Sequence, residues 1–146
     1  MTYTRLDTFV QNAPPRFPSA IYVDASNPNH AWISYTGYSA ATPGTPGHLF
    51  EVRYNPAAGT VTWTRLDENL IDIPLTSLVR DDLTGDLYAG NDFGVLRLPS
   101  GSSHWQTASG LPMVEVPNLS ISVSARVLYA ATHGRGAYVL QLPSGN

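Results

Sequence analysis

The sequence contains no cysteine and no lysine, and only 13% of its 146 residues are charged. The absence of cysteine excludes thiol nucleophiles, thiol redox switches and zinc sites built on cysteine. All 8 basic residues are arginines, and the formal net charge is -3. Because an electrostatic nucleic-acid interface needs clustered positive charge, the composition excludes that class of binding surface.

Long apolar runs are scarce as well. No stretch approaches the roughly 20 apolar residues that a membrane-spanning helix needs, and the first residues do not resemble the apolar core of a signal peptide. A soluble chain of one domain is therefore expected. Glycine and proline, in contrast, are abundant, with 12 of each. Because both residues interrupt helices, the composition excludes a helical bundle and favours short strands joined by turns.

An internal repeat organises the sequence. The segment YTRLD at residues 3–7 recurs as WTRLD at residues 63–67, and a third aromatic start stands at Trp105. A proline and then an aromatic residue follow each start at similar offsets: Pro18 and Trp32, Pro74 and Tyr88, Pro117 and Tyr129. The repeat predicts one domain, 1–146, made of three copies at 3–62, 63–104 and 105–146.

Each copy divides into four short extended segments. The aromatic start is one of them, and the others are 20–23, 31–35 and 49–54 in the first copy, 75–79, 87–89 and 94–98 in the second, and 119–123, 127–131 and 137–142 in the third. The first copy also carries a glycine- and proline-rich insertion at 36–47, which predicts a loop. Four antiparallel strands in a unit of roughly 40 to 45 residues are typical of one blade of a β-propeller.

These segments resemble those of the BNR (Asp-box) and YVTN-like repeat propellers, in particular their C-terminal blades. The likeness rests on the turn DASNPN at 24–29 and on the strand pairs LYAGNDFGVLRL at 87–98 and VLYAATHGRGAYVL at 127–140. The Asp-box itself is degenerate at 55–63 and at 99–105. The resemblance implies an all-β propeller, a secreted or periplasmic location, and either carbohydrate binding or glycoside hydrolysis of the sialidase or xyloglucanase type.

Three blades are too few to close a propeller, since rings of about 4 to 8 blades are known. We therefore expect a homodimer that closes a six-bladed ring, in which residues 3–7 of one chain complete the sheet of residues 137–142 in the other. The alternative is that the chain belongs to a longer propeller. Uncovered, its outer blades would expose apolar faces and strand edges.

The candidate ligand-binding residues lie where loops are expected to open on one face of the propeller: Tyr35, Tyr38, Asn91, Asp92, His133 and Arg135. His133 and Arg135 fit an anion or a sugar hydroxyl, or alternatively a tight hairpin whose arginine contacts a neighbouring blade. Asn91 and Asp92 fit a ligand contact or an Asx turn. The three tryptophans fit packing between blades better than sugar stacking.

No arrangement in the sequence predicts a catalytic site, a metal site or a cofactor. The carboxylates are scattered over turns, and the four histidines lack metal-ligand spacing. Asp81, Asp82 and Asp86 are predicted to form a solvated turn rather than a calcium site. The sequence therefore favours a non-enzymatic binding or assembly module that binds a carbohydrate or a protein. The alternatives are a glycoside hydrolase, or a fragment of one, and a purely structural propeller fragment.

Overall fold

The chain is all-β, as the sequence predicts. A computed structural model describes residues 2–7 and 13–144. These residues contain one 3₁₀ turn, Ser39–Ala41, and the strands β1 Pro18–Val23, β2 His30–Tyr35, β3 Leu49–Asn55, β4 Thr60–Arg65, β5 Leu75–Arg80, β6 Leu87–Asn91, β7 Gly94–Leu98, β8 Gln106–Thr107, β9 Asn118–Ser122, β10 Val127–Thr132 and β11 Gly136–Gln141. Within the described ranges, no helix has the length and apolar character to cross a membrane.

The strands form three antiparallel meanders, in which each strand pairs with the next along the chain. The first sheet has the order β1-β2-β3-β4 and the second the order β5-β6-β7-β8. Among the described residues, the third sheet has three strands, β9, β10 and β11, with β10 in the middle. The sequence predicts β6 only to Ala89, whereas the strand continues to Asn91, because Asn91 pairs with Gly94 across a tight turn.

The first two sheets share the same strand register. Ile21 pairs with Ile33 in the first sheet, and Leu78 pairs with Ala89 in the second. Both ladders skip one residue at their start, between Pro18 and Ala20 and between Leu75 and Ser77. A shared irregularity of this kind is a feature of backbone geometry, so residues at matching register positions can be compared directly between sheets.

The three sheets pack face to face through their first strands, since β1 contacts β5 and β5 contacts β9. Each interface has its own apolar cluster. The cluster between the first and second sheets contains Trp32, Leu49, Leu75, Leu78, Leu87, Ala89, Leu98 and Trp105. The cluster between the second and third sheets contains Tyr88, Val95, Val116, Leu119, Leu128, Ala130 and Leu142. Trp32 and Trp105 therefore pack between sheets.

A third apolar cluster lies on the far side of the first sheet. It contains Ile33, Tyr35, Phe50 and Val52, and Leu6 packs against it. Residues 3–7, which the sequence predicts as an outer strand, do not form a strand within this chain. An outer strand needs the free edge of another strand, and the third cluster gives Leu6 an apolar surface without offering such an edge.

The connections between strands fall at two opposite ends of the sheets, because every neighbouring pair is antiparallel. One end carries the loops 36–48, 66–74, 92–93, 108–117 and 133–135, together with residues 13–17, which directly precede β1; we call it the loop end. Backbone hydrogen bonds join these loops, for example from Val116 N to Asn91 O at 3.0 Å and from His133 N to Glu115 O at 3.0 Å. The opposite end carries the remaining turns.

Candidate functional site at the loop end

Tyr35 lies beneath the loop end rather than on its surface. Its side chain is 5% exposed, and its ring meets the Phe50 ring edge-on with the centroids 5.9 Å apart. Burial raises the pKa of Tyr35 to about 12. This tyrosine therefore supports the loops from below and is not presented to a ligand.

Tyr38, in contrast, is 54% exposed at the start of the insertion loop. Further apolar side chains project from the other loop-end segments: Phe17 at 75%, Ile71 at 74%, Phe93 at 53% and Met113 at 79% exposure. None of these four residues is among the candidates that the sequence predicts, although Phe93 lies on the loop predicted at this face beside Asn91 and Asp92. The signal available was an apolar residue standing inside a proline- or glycine-rich connection, where no strand would bury it.

Asn91 shapes the loop that presents Phe93. Its side chain is buried, and Oδ1 accepts a hydrogen bond from Phe93 N at 2.8 Å. This is the Asx turn that the sequence offered as one of two interpretations of Asn91 and Asp92. Asp92 is partly exposed beside it. The asparagine therefore acts on the loop backbone, while Asp92 and Phe93 reach the surface.

His133 and Arg135 stand on the hairpin between β10 and β11. Gly134 and Gly136 have φ angles of 74° and 82°, a backbone conformation that favours glycine. The His133 side chain is 77% exposed, and its Nδ1 lies 3.0 Å from Glu115 Oε2. Arg135 is exposed and takes part in no ion pair within residues 2–7 and 13–144. The hairpin thus presents both side chains to solvent.

A buried polar cluster holds the insertion loop against the loop end. Its centre is His48, which is 2% exposed. The Nε2 atom of His48 lies 2.8 Å from Asp72 Oδ1, and its Nδ1 lies 3.1 Å from an Arg16 nitrogen. Arg16 also donates hydrogen bonds to the carbonyl groups of Gly37 and Gly47. No repeat or motif marked these residues, because they come from segments distant in sequence.

Ser39, His48 and Asp72 resemble a Ser-His-Asp triad in composition but not in geometry. Arginine can only donate, so Nδ1 of His48 accepts and the ring proton lies on Nε2. That proton faces Asp72, and the Ser39 hydroxyl lies 3.3 Å from the same nitrogen. Since no free imidazole lone pair faces the serine, the cluster lacks the general base of a triad. Its chemistry is that of a structural brace.

Asp72 completes the brace from the connection between β4 and β5. Its two carboxylate oxygens accept hydrogen bonds from the backbone amides of Ser39 and Ala40 at 2.6 and 3.0 Å. Desolvation acts to raise the pKa of Asp72, but these hydrogen bonds and the one from His48 outweigh it and lower the pKa to about 2. Asp72 is therefore an anion that fixes the loop near neutral pH.

We predict that His48→Leu lowers the free energy of unfolding by about 2 kcal/mol, since it removes the hydrogen bonds of the buried imidazole with Asp72 and Arg16, each of which contributes about 1 kcal/mol. The measurement is urea unfolding followed by tryptophan fluorescence. His48→Gln, which keeps a donor and an acceptor, is the matched variant and should lose less. Equal stability of His48→Leu and the unsubstituted chain would contradict the role of this cluster as a brace.

The loop end also contains an apolar pocket of about 220 Å³, lined in part by Leu70, Ile71, Ile73, Phe93 and Thr107; we call it the loop-end pocket. It lies between the exposed side chains of Ile71 and Phe93. A pocket with apolar walls and polar groups nearby is the usual form of a small-ligand site.

The aspartates of the turn at 81–86 lie at the opposite end, and the expectation of a solvated turn is wrong for two of them. Asp81 is 0% and Asp86 is 3% exposed. Asp86 accepts from Arg97 at 2.8 Å and from Ser100 N at 2.8 Å, and Asp81 pairs with Arg126. Their charges are compensated there, since Arg97 on the adjacent strand β7 reaches Asp86 and Arg126 in the turn before β10 reaches Asp81. Among the residues described, no three metal-binding side chains are grouped to hold a metal ion.

This chain is similar to known proteins in fold only. Neither a scan of family models nor a search of curated proteins gives a match. Two crystal structures of the extracellular domain of BT4673 from B. thetaiotaomicron are similar, one described as part of a one component system and the other as part of a hybrid two component system. Both have a TM-score of 0.55, with 15% and 14% sequence identity.

The matched region covers most of this chain and a small part of the other. It spans 84% and 87% of the present sequence, but only 14% and 15% of the BT4673 chains. At this level of sequence identity, the similarity concerns the arrangement of strands and not the activity.

Proposed function

We propose that the chain is a β-propeller segment that acts as a non-enzymatic binding module, with its ligand surface at the loop end. The observation that carries the proposal is the set of apolar side chains exposed there, of which Phe17, Tyr38 and Phe93 are aromatic. Loops held by a rigid β scaffold are a common location for ligand contacts.

The arrangement of the sheets supports a propeller. Each sheet is a meander, and contacts between sheets involve the first strand of each sheet, sometimes with the second strand of its neighbour. In a propeller the first strand of every blade lies nearest the axis, and the later strands diverge from it. The matching registers of the first two sheets agree with blades related by rotation.

The chemistry of the loop end favours a carbohydrate. Tyr38 and Phe93 offer ring faces of the kind that stack on sugars, and the loop-end pocket lies beside Phe93. Asp92, His133 and Arg135 add polar groups able to bind hydroxyls. A protein partner is the other occupant of such a surface. The similar structures belong to an extracellular domain, which agrees with a location outside the cytoplasm.

Two carboxylates of the loop end, Asp67 and Asp72, give the hydrolase alternative no support. Asp67 is 1% exposed and accepts hydrogen bonds from His48 N and from Arg65. Asp72 is occupied by two backbone amides and His48. Their hydrogen bonds hold the loops together, whereas a glycosidase needs paired carboxyl groups directed at the scissile bond.

We predict that the chain binds a defined subset of a glycan array and that Tyr38→Ala and Phe93→Ala each weaken binding roughly fivefold, because a lost aromatic contact costs about 1 kcal/mol. The same preparations are screened for hydrolysis of β-glucans and sialosides. Leu83→Ala, which removes an exposed apolar side chain at the opposite end, is the matched control and should bind normally.

Two results would overturn this proposal. Hydrolysis abolished by substitution of a single carboxylate would establish an enzyme in place of a binding module. Binding that survives both aromatic substitutions, or that Leu83→Ala weakens equally, would remove the loop end as the ligand surface.

A further inference from the structure

Two outer faces of the molecule leave apolar side chains exposed. The first flank is the outer face of the first sheet, where Ile21 is 62% and Val23 is 53% exposed. The third flank is the outer face of the third sheet, where Tyr129 is 51% and Val139 is 61% exposed. The four side chains carry no charge, and exposed apolar surface of this kind marks an interaction site.

The internal repeat shows what covers such side chains. Leu78 and Leu119, which occupy the position of Ile21 in the second and third sheets, are 5% and 6% exposed because the preceding sheet covers them. Trp32 and Tyr88, which occupy the position of Tyr129, are 6% and 1% exposed because the following sheet covers them. The first flank is therefore the kind of surface that a preceding sheet covers. The third flank is the kind of surface that a following sheet covers.

Residues 3–7 already occupy the place of a preceding outer strand. Leu6 packs on the cluster beside the first flank. Its equivalents in the other repeats pack in the same way. Leu66 packs on the cluster between the first and second sheets, and Ala108 packs on the cluster between the second and third sheets. The ion pair from Arg5 Nε to Asp7 Oδ1 at 2.6 Å repeats the one from Arg65 Nε to Asp67 Oδ1 at 2.8 Å.

The strand β11 offers the free edge that such an outer strand needs. In the first two sheets this edge is occupied, with hydrogen bonds from Leu66 N to Leu49 O at 3.0 Å and from Ala108 N to Val95 O at 2.8 Å. Among the described residues, β11 pairs only with β10. In the third sheet, the carbonyl group of Ala137 takes the position of the Leu49 and Val95 carbonyl groups. All three residues pair with equivalent residues of the preceding strand.

A cavity beside this free edge matches the aromatic residue at the start of the repeat. In the second sheet that residue, Trp105, is 6% exposed and donates from Nε1 to Leu66 O at 2.8 Å. At the corresponding place between the second and third sheets, a cavity of about 80 Å³ is lined in part by Ser109, Leu111 and Leu140. Tyr3, the repeat equivalent of Trp105, is fully exposed in the single chain.

We propose that residues 3–6 of one copy of this chain add to β11 of a second copy as its fourth strand, in one defined register. Thr4 lies opposite Val139 of the partner, Leu6 N donates to Ala137 O, and Tyr3 enters the cavity beside the edge. The first flank of each copy covers the third flank of the other. Two such seams close a ring of six sheets. The inference rests on the propeller arrangement proposed above, but not on the ligand.

The assembly is measured by sedimentation velocity over a range of protein concentrations. The expected species has twice the 15.8 kDa mass of the chain. Val139→Pro should weaken the association by roughly 100-fold, because it removes an amide that faces the free edge and places a proline ring in the seam. Val139 takes the same register position in the third sheet as Arg97 in the second, and Arg97 pairs with Gln106 of the outer strand β8. Val139→Thr, which keeps the amide and the side-chain shape, is the matched control and should associate normally.

Cross-linking tests the register. The chain has no cysteine, so Thr4→Cys and Val139→Cys introduce the only thiols. Under mild oxidation, a mixture of the two single variants should give a disulfide-linked pair of chains. Thr4→Cys mixed with Gln141→Cys, which shifts the position along the same edge, should link far less.

A folded monomer at all concentrations would overturn the inference, as would a dimer that Val139→Pro leaves intact or equal cross-linking at Gln141. None of these outcomes affects the ligand proposal, because glycan binding and its loss in Tyr38→Ala are measured separately. Conversely, a dimer with the expected cross-link stands even if no glycan binds.

Discussion

Replacing Asp81 by asparagine is expected to lower the free energy of unfolding by roughly 3 kcal/mol, the range for breaking a buried ion pair. Asp81 is 0% exposed, and its two oxygens accept from Arg126 at 2.7 and 2.6 Å. The pair joins the turn after β5 to the turn before β10, and so it links the second sheet to the third. Asparagine presents one acceptor to a guanidinium group that needs two, and it removes the compensating charge.

The destabilisation should depend on pH. The hydrogen bonds from Arg126 outweigh desolvation and, with those from Thr84 and Leu83, lower the pKa of Asp81. For a carboxyl group whose folded pKa is depressed, the stabilisation is fully present above the unfolded pKa of about 3.9 and is lost as the pH falls through the folded pKa. The two proteins should therefore differ most above about pH 5 and converge in acid.

Urea unfolding of the unsubstituted chain and of Asp81→Asn at several pH values measures both effects. Asp92→Asn is the matched control, because Asp92 lies in a turn at the opposite end and is partly exposed; it should change stability little at any pH. If the loss for Asp81→Asn were the same at pH 7 and in acid, charge pairing with Arg126 would not be its source.

Gly90→Ala is expected to destabilise the chain by about 3 kcal/mol, at the upper end of the range for overpacking a core. A Cβ at this position would lie 2.3 Å from Val116 O and 2.3 Å from Ser77 Oγ. The serine can change its rotamer, but the carbonyl is backbone, and Thr76 and Ser77 hold it through hydrogen bonds of 2.7 and 3.0 Å. The added methyl group therefore forces β9, and the segment that leads into it, away from β6.

The control for this substitution is Gly44→Ala. Gly44 has no atom within 4 Å of an added Cβ, and its φ angle is not positive, so the change should leave stability nearly unaltered. The measurement is again the midpoint and slope of urea unfolding. If the Gly90→Ala variant were as stable as the unsubstituted chain, the segment before β9 would be free to move away from the second sheet.

The sequence repeat predicted the order of the strands well. Trp32, Tyr88 and Tyr129 all lie on second strands, and the predicted segments match the cores of the first three strands in each sheet. This succeeds because alternation of apolar residues and the positions of glycine and proline act locally, within one strand and its turn. Residues 3–7, also predicted as a strand, form none within this chain. Strand ends were predicted less well, as Asn91 shows, since pairing with Gly94 extends β6 beyond its apolar run.

The placement of the candidate residues on the loops was predicted in part, whereas their role as a ligand site stays a prediction. Sequence placed Tyr38, Asp92, His133 and Arg135 on one set of loops, and all four reach the surface there. It could not separate Tyr35, which looks the same in sequence but is buried by Phe50 and Trp63. Nor could it find the cluster around His48, whose partners Arg16 and Asp72 are 32 and 24 residues away along the chain.

By itself, the sequence determined that this is a chain of short antiparallel strands in repeated units, because backbone propensity and side-chain alternation are properties of neighbouring residues. Only the tertiary structure decided which polar groups are buried and which positions have no room for a side chain. Gly90 illustrates the difference: its counterparts in the other sheets are Ser34 and Ala131, so the strand itself tolerates a side chain. The requirement for glycine comes from the Val116 carbonyl of another sheet, a contact that depends on how whole sheets pack.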